Sequence, residues 1–449
     1  MKTYEAYKES GVDWIGEIPE HWVITSLRFL TNYVKTGSTP PTENKAYYNQ
    51  GDIPWYGPAD FNSLTLTNAK KQVSQKAVDD GKCRIFDKNS ILLIGIGATV
   101  GKVGITTTIS SANQQINAIS FDQSKMKASF ALYFLTSIKR IIVSKADSAT
   151  LPIFNQTQTK ELRLVKPSQD EQTQIAKYLD HKTAIIDALM EKKEQLIQKL
   201  QAQRQAIINE AVTKGLNPNT KMKDSGIEWL GEIPENWKVS NFKYFISLKG
   251  RLGWKGLKAE EYVENSGYGF LSTPDIKSKN IDFKKINNIT KERYDESPEI
   301  MLEEGDVLLV KDGSTLGITN IVKQLPIPCT VNSSIGVLRI IRSNDLNSQY
   351  LLSYLRTSYI QAMINLLKAG QGVPHLFQKD INNFSLILPP LKEQLRITEF
   401  LEIQTSRNNS LINKLKSQIK KLISYRQSII NEAVTGKVDV RDWQAPTKN

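Results

Sequence analysis

Glu171-Gln172 opens a stretch that runs without proline or glycine to Arg204-Gln205-Ala206-Ile207-Ile208-Asn209-Glu210-Ala211-Val212-Thr213. The stretch returns as Glu393-Gln394, closing on Arg426-Gln427-Ser428-Ile429-Ile430-Asn431-Glu432-Ala433-Val434-Thr435. Each copy follows a proline (Pro167, Pro389) and stops at a glycine (Gly215, Gly436), as helices do. In the first copy Leu179, Ile186, Leu200 and Ile207 share one seven-residue series interrupted by Lys193, with Leu189 and Leu196 on a companion series. In the second, Leu401, Leu415, Leu422 and Ile429 repeat the series, with Asn408 interrupting. Such a heptad pattern among Lys, Glu and Gln calls for a partner helix rather than a globular core, and each copy is the natural partner of the other. A helix of this length spans roughly 65 Å at about 1.5 Å per residue.

A second repeat precedes each helix. Ser10-Gly11-Val12-Asp13-Trp14-Ile15-Gly16-Glu17-Ile18-Pro19-Glu20-His21-Trp22 recurs as Ser225-Gly226-Ile227-Glu228-Trp229-Leu230-Gly231-Glu232-Ile233-Pro234-Glu235-Asn236-Trp237. Its glycines and prolines fix turns, and its tryptophans offer packing surface rather than a ligand site. Fainter matches follow: Ile91–Gly101 with Val307–Gly317, Pro152 with Pro374, Gln156 with Gln378. The chain therefore reads as two tandem units of domain plus helix. Strand-like runs (Ser90–Ile94, Asn117–Phe121, Val307–Val310, Gly336–Ile341, Ser385–Leu388) alternate with amphipathic stretches such as Ser129–Ile142 and Ser348–Leu367. The fold class expected is α+β: two similar mixed domains separated by two long helices in an antiparallel coiled coil, with pseudo-twofold symmetry. The expected boundaries are residues 1–169, 170–215 (helix), 216–391, 392–437 (helix) and a tail at 438–449.

The 449 residues leave room for two or three cores. No apolar run reaches membrane-spanning length, the first residues do not resemble a signal peptide, and two cysteines are too few for a disulfide framework or a cysteine zinc site. A cytoplasmic, metal-free protein is expected. Fifty-nine basic against 46 acidic residues give a net charge of +13, which hints at a polyanionic partner. Lys238, Lys243, Lys249, Arg251, Lys255 and Lys258 stand with no acid between Glu235 and Glu260.

Catalytic patterns fare poorly against the repeat. His21, His181 and His375 are matched by Asn236, Ile403 and Ile153, so no histidine recurs. Gly95-Ile96-Gly97-Ala98-Thr99-Val100-Gly101-Lys102 has the wrong spacing for a phosphate loop, and its copy begins Lys311-Asp312-Gly313. Pro274-Asp275 with Asp282-Phe283-Lys284 has the spacing of a Mg²⁺-dependent nuclease, but the first unit lacks the second half. No methyltransferase motif and no complete cofactor loop is present, so no cofactor is expected in this chain.

Two similar basic domains on a helical pair suit a two-part polymer, and double-stranded DNA fits best: two base-reading domains would meet the duplex in opposite orientations at a helix-set distance. The paired Gly-Glu-Ile-Pro-Glu-x-Trp segments, the Pro…Glu-Gln helix starts and the two Ile-Ile-Asn-Glu-Ala-Val-Thr ends resemble a type I restriction–modification specificity subunit, over nearly the whole chain. That resemblance implies a non-catalytic subunit whose two target-recognition domains each read half of a bipartite site. It also implies that the helices act as spacer and docking surface for two methyltransferase subunits, which carry S-adenosylmethionine, and that separate restriction subunits use ATP and Mg²⁺.

Recognition needs cations for phosphates and amide or guanidinium groups for base edges. The candidates are Lys35, Ser38 and Thr39 in the loop 35–40, Thr99 with Lys102, and Gln114 with Gln115 in the first domain. In the second they are Lys249, Arg251, Trp254, Lys255 and Lys258 along the basic run, with Ser314 and Thr315. Two rival readings remain at this point: the nuclease on Asp275, Asp282 and Lys284, and a duplicated scaffold that binds proteins. A reader of single strands would need regularly spaced stacking aromatics, and Trp55, Tyr56 and Trp254 are too scattered.

Overall fold

The computed structural model describes residues 2–49, 51–146, 151–228, 230–251, 256–277, 280–367 and 375–446. Two compact units emerge, and the long helices are shared between them: one unit comprises Met1–Lys193 with Lys416–Asn449, the other Glu194–Leu415. The helices run Gln169–Lys214 and Leu391–Val434. Of the repeated motifs, Trp229 and Pro374 fall outside the described residues.

In the first unit a five-stranded sheet has the order Thr31–Thr36, Ile116–Phe121, Ile91–Ile94, Val103–Thr106, Thr65–Leu66. A four-stranded sheet (Lys71–Val73, Ile53–Tyr56, Ser110–Ala112, Ile85–Phe86) covers one face. The continuous apolar run Ile91-Leu92-Leu93-Ile94 is explained by burial on both sides. Ile91 and Leu93 pack towards Phe130, Phe134 and the long helices, whereas Leu92 and Ile94 pack towards Tyr56, Phe86 and Ala112. The second unit repeats this with Ile246–Gly250, Ile335–Ile340, Val307–Val310 and Thr319–Ile321 in one sheet. There Val307 and Leu309 face one core while Leu308 and Val310 face the other.

Two amphipathic stretches that the sequence reads as single helices are broken. The first becomes Ala128–Ser137 and Lys139–Ser144, the second Ser348–Leu355 and Ser358–Leu367. At each break a hydroxyl bonds back to a carbonyl of the preceding turn: Ser137 Oγ donates to Phe134 O (2.6 Å) and Thr357 Oγ1 to Tyr354 O (2.7 Å).

The repeated helix starts have a structural cause. Gln172, fully buried, accepts from the Lys127 N–H (2.7 Å) and donates to Pro167 O (3.0 Å); Gln394 accepts from the Asn347 N–H (2.9 Å) and donates to Pro389 O (2.9 Å). Each neighbouring glutamate receives a buried indole: Trp22 Nε1 donates to Glu171 Oε1 (3.2 Å) and Trp237 Nε1 to Glu393 Oε2 (2.9 Å). The duplicated Pro…Glu-Gln and Pro-Glu-x-Trp signatures are thus two halves of one joint between domain and helix.

That joint responds to acid. Burial pushes the Glu171 carboxyl up, but hydrogen bonds from His21, Ser168 and Trp22 outweigh it, so its pKa lies below the ordinary 4.5. A depressed carboxyl contributes stability that is present above its unfolded pKa and lost as pH falls through the folded one. Glu171→Gln is therefore expected to lower the melting temperature most above pH 5, with the gap to the parent closing as pH falls further. Melting curves across pH check it, and a pH-independent gap would contradict the assignment.

The helix pairing is antiparallel in each unit. In the first, Arg426 forms an ion pair with Asp187 (2.8 Å) and Lys193 Nζ donates to Gln418 Oε1 (2.7 Å), so the polar interruption is used across the seam. In the second, Ile208, Ala211 and Val212 share a core with Ile397 and Leu401. Leu179, Ile186, Leu401 and Ile429 are buried, and Leu200, Ile207, Leu415 and Leu422 are half-buried. The companion series differs by one residue from expectation. Leu189 and Leu196 are 41% and 45% exposed on the outer face, and Thr183, Met190 and Ile197 take the inward positions. A heptad steps alternately by three and four, and here the step after Ile186 is four.

Candidate nucleic-acid interface

In the first unit the sequence candidates, and in the second Lys249, Ser314 and Thr315, converge on one end of the main sheet, because three of its strands begin or end there. In the first unit Thr36 pairs with Asn117 and Ile94 with Ile116, so the loops beyond them must meet. Backbone bonds stack those loops: Gly37 N–H donates to Ile116 O (2.9 Å), Ser38 N–H to Ala112 O (2.8 Å), Gly95 N–H to Gln115 O (2.7 Å) and Gly97 N–H to Pro152 O (3.0 Å). The approach demands glycine at two points. A Cβ on Gly37 would lie 2.2 Å from Asn113 O, and one on Gly95 2.6 Å from Phe154 O. The glycine run is therefore a strand end under a tightly stacked loop, as its failed motif spacing indicates.

On this platform Thr39 Oγ1 bonds to Gln114 Oε1, both side chains exposed, while Gln115 Oε1 accepts from Asn113 Nδ2 (3.1 Å). Lys35 is exposed, its ammonium 4.8 Å from the Tyr33 ring centre. Thr99 and Lys102 are half-buried in the turn that Lys102 N–H closes onto Thr99 O (3.2 Å). Sequence reasoning missed Arg84. Its N–H donates to Ser38 Oγ (2.9 Å) and its Nη1 to Thr36 O (2.8 Å), and with Lys35, Ile85 and Gln156 it lines an open groove. Arg84 has no repeat mate, so nothing in the sequence marks it.

The second unit builds its counterpart differently. Gly250 ends its strand opposite Gly336, and Lys311 N–H donates to Ser334 O (2.8 Å) while Lys311 O accepts from Leu376 N–H (2.8 Å). Lys311 Nζ lies 3.0 Å from Asp312 Oδ2, and His375 Nδ1 meets the other carboxylate oxygen. Lys311 and Asp312 stand where the first unit has Gly95 and Ile96, so the failed glycine match itself marked this cluster. Ser314 is exposed and Thr315 half-buried in the adjoining turn, and Lys249 is exposed on the strand leading in. Lys258 is exposed but belongs to a separate segment, where its N–H bonds Glu261 Oε2 (2.7 Å) and Arg293 holds Gly256 O (3.3 Å). Trp254 and Lys255 lie outside the described residues.

Arg251, expected to grip a guanine, is 4% exposed. Its guanidinium turns into the domain, donating to Val331 O (3.2 Å), Ser297 Oγ (3.3 Å) and Thr330 Oγ1 (3.0 Å), and it faces the Phe270 ring. Burial, followed by repulsion from Arg293, holds its pKa below the usual guanidinium value. In this structure it cannot reach a base; it ties the two sheets of its domain together.

The nuclease reading also meets a correction. Asp275 Oδ2 accepts from Ser272 N–H (2.7 Å) and Ser272 Oγ (2.6 Å), capping a turn, while exposed Asp282 accepts from Lys284 N–H (3.2 Å) and pairs with Lys285 (3.2 Å). Among the described residues no group of three His, Cys, Asp or Glu side chains is placed to hold a metal, and no helix is long and apolar enough to cross a membrane.

Comparison with known proteins completes the picture. A family profile described as the type I restriction modification DNA specificity domain matches residues 19–199 and again 234–421. The type I restriction enzyme MjaVIII specificity subunit of Methanocaldococcus jannaschii is 24% identical over 95% of this chain and 95% of its own length. The MjaIX specificity subunit of the same organism is 25% identical over 95% and 96%. Among solved structures, a chain from a study of complex assembly in a type I restriction–modification system superposes with a TM-score of 0.71 at 14% identity, over 94% of this chain and 99% of that one.

Proposed function

The chain belongs to the type I restriction–modification DNA specificity family, and from that premise we propose that its two units read the two halves of one bipartite duplex site. As a specificity subunit it supplies sequence recognition and no catalysis. The observation that carries the reading is the recurrence, in each unit, of a main sheet whose strand ends stack polar and cationic loops on one platform. Phosphate contacts by Lys35 and Arg84, and by Lys249 in the second unit, would position the duplex, while Thr39, Gln114, Gln115, Ser314 and Thr315 offer the donors and acceptors that base edges require. The asymmetry between the platforms, with Lys311, Asp312 and His375 in one only, suits two half-sites of different sequence.

We assign residues 1–169 and 216–391 to the recognition domains, 170–215 and 392–437 to the spacer helices, and 438–449 to the tail. Outward-facing Leu189 and Leu196 give the helices an apolar surface for partner subunits. Those partners are two methyltransferase subunits, which bring S-adenosylmethionine and a pocket for a flipped adenine, with restriction subunits supplying ATP- and Mg²⁺-dependent chemistry. The assembly works in the cytoplasm, on DNA. The carboxylates of the nuclease alternative are occupied in local turns.

Binding to duplex DNA at graded salt tests the reading. Lys35→Ala and Arg84→Ala are each expected to weaken binding and to lower the salt slope by about 0.9, with the preferred sequence unchanged. Salt-insensitive binding, or an unchanged slope in both variants, would count against the platform as the DNA face.

A further inference from the structure

The two units differ where each long helix ends. Both helices stop at a left-handed glycine (Gly215, φ 78°; Gly436, φ 74°) that sits against the buried tryptophan of the joint. In the first unit the chain continues past Gly436 and folds back. Val438 and Val440 enter the core, Asp439 N–H donates to Lys2 O (2.9 Å), and the Trp443 ring meets Tyr178 edge-on at 5.2 Å. Gln174 Nε2 also bonds Trp443 O, so the tail is held on both sides of the ring. The result is that Tyr178 is only 3% exposed.

In the second unit the chain past Gly215 goes directly into the next domain, and among the described residues no segment takes the tail's place. What remains is a groove of about 790 Å³ lined by Ile207, Glu210, Leu216, Met222, Leu230 and Phe400. By the repeat, Phe400 is the counterpart of Tyr178, Leu230 of Ile15, Met222 of Tyr7 and Ile207 of Ile429. Phe400 is 36% and Leu216 40% exposed. The walls thus correspond to residues that, in the first unit, share a core with Val438 and Val440 and, at Tyr178, meet Trp443.

We propose that this groove docks a segment of a partner polypeptide presenting two aliphatic side chains two residues apart and, three residues on, an aromatic ring: the chemistry of Val438, Val440 and Trp443. Burying such side chains drives association in the first unit, and the same apolar walls stand open in the second. The proposal does not rest on the DNA reading, because the docking is scored without DNA.

The probe is a fluorescein-labelled peptide with the sequence of residues 437–446, titrated into the full chain and followed by anisotropy. Saturable binding of one peptide per chain is expected, at least tenfold weaker in Phe400→Asp and in Leu216→Asp, each checked by circular dichroism for an intact helix signal. A chain ending at Gly436, with its own seat vacated, should bind two. Absence of saturation at millimolar peptide, or equal binding to folded Phe400→Asp, would overturn the proposal. Concentration-dependent dimers of the full chain that excess peptide dissolves would make a second copy the occupant and overturn the partner assignment.

Discussion

A chain cut after Gly215 is expected to form a homodimer and to favour a symmetric DNA site. The reason lies in the seam of the first unit, where Ile429, Ile430, Ala433 and Val434 from the second long helix complete the core around Leu179 and Ile186. In a homodimer the same places would be filled by Ile207, Ile208, Ala211 and Val212 of the other copy, four identical residue types at matching spacing. The ion pair survives as well, since Arg204 stands where Arg426 meets Asp187. Two things are lost: the bond to Lys193, where Leu196 replaces Gln418, and the tail, because Val438, Val440 and Trp443 lie beyond the cut. Left alone, the first helix would expose its apolar seam to water, and burying each such side chain is worth about 1.5–3 kcal/mol. Sedimentation velocity over a wide concentration range checks the prediction, and a monomer throughout would contradict it.

Arg251→Met is expected to destabilise the second domain by about 3 kcal/mol, because it leaves buried acceptors at Ser297, Thr330 and Val331 without a donor, each costing ~1–3 kcal/mol. Exposed Lys249→Ala, two residues earlier, should stay within about 0.5 kcal/mol of the parent. Denaturant titration separates the two substitutions. Were Arg251 a base reader after all, Arg251→Met would leave stability untouched and relax the recognised sequence.

These two residues show where sequence reasoning succeeds and where it stops. The long helices are legible because a periodic, duplicated pattern has one physical solution, and the strand Val307–Val310 because an unbroken apolar run needs burial on both faces. The inward companion series is not legible, since steps of three and of four both satisfy a heptad and only the packed partner selects Met190 and Ile197 over Leu189 and Leu196. A cation after a strand looks the same whether it faces solvent or core. Arg251 is decided by Ser297 and Thr330, partners 46 and 79 residues away, which no local pattern reveals. Conversely, the platforms are partly legible because the repeat sets Gly95 against Lys311, but Arg84 has no mate and emerges only when its loop folds onto Ser38.

The central claim is that the duplicated chain reads DNA in two independent halves. It is tested most directly by co-expressing the full chain with its methyltransferase partner and sequencing the methylated adenines, then repeating this with residues 216–391 exchanged for those of another family member. The account predicts a bipartite motif with a gap of fixed length, of which the exchange alters one half and leaves the other half unchanged. A single uninterrupted motif, or an exchange that alters both halves together, would contradict it.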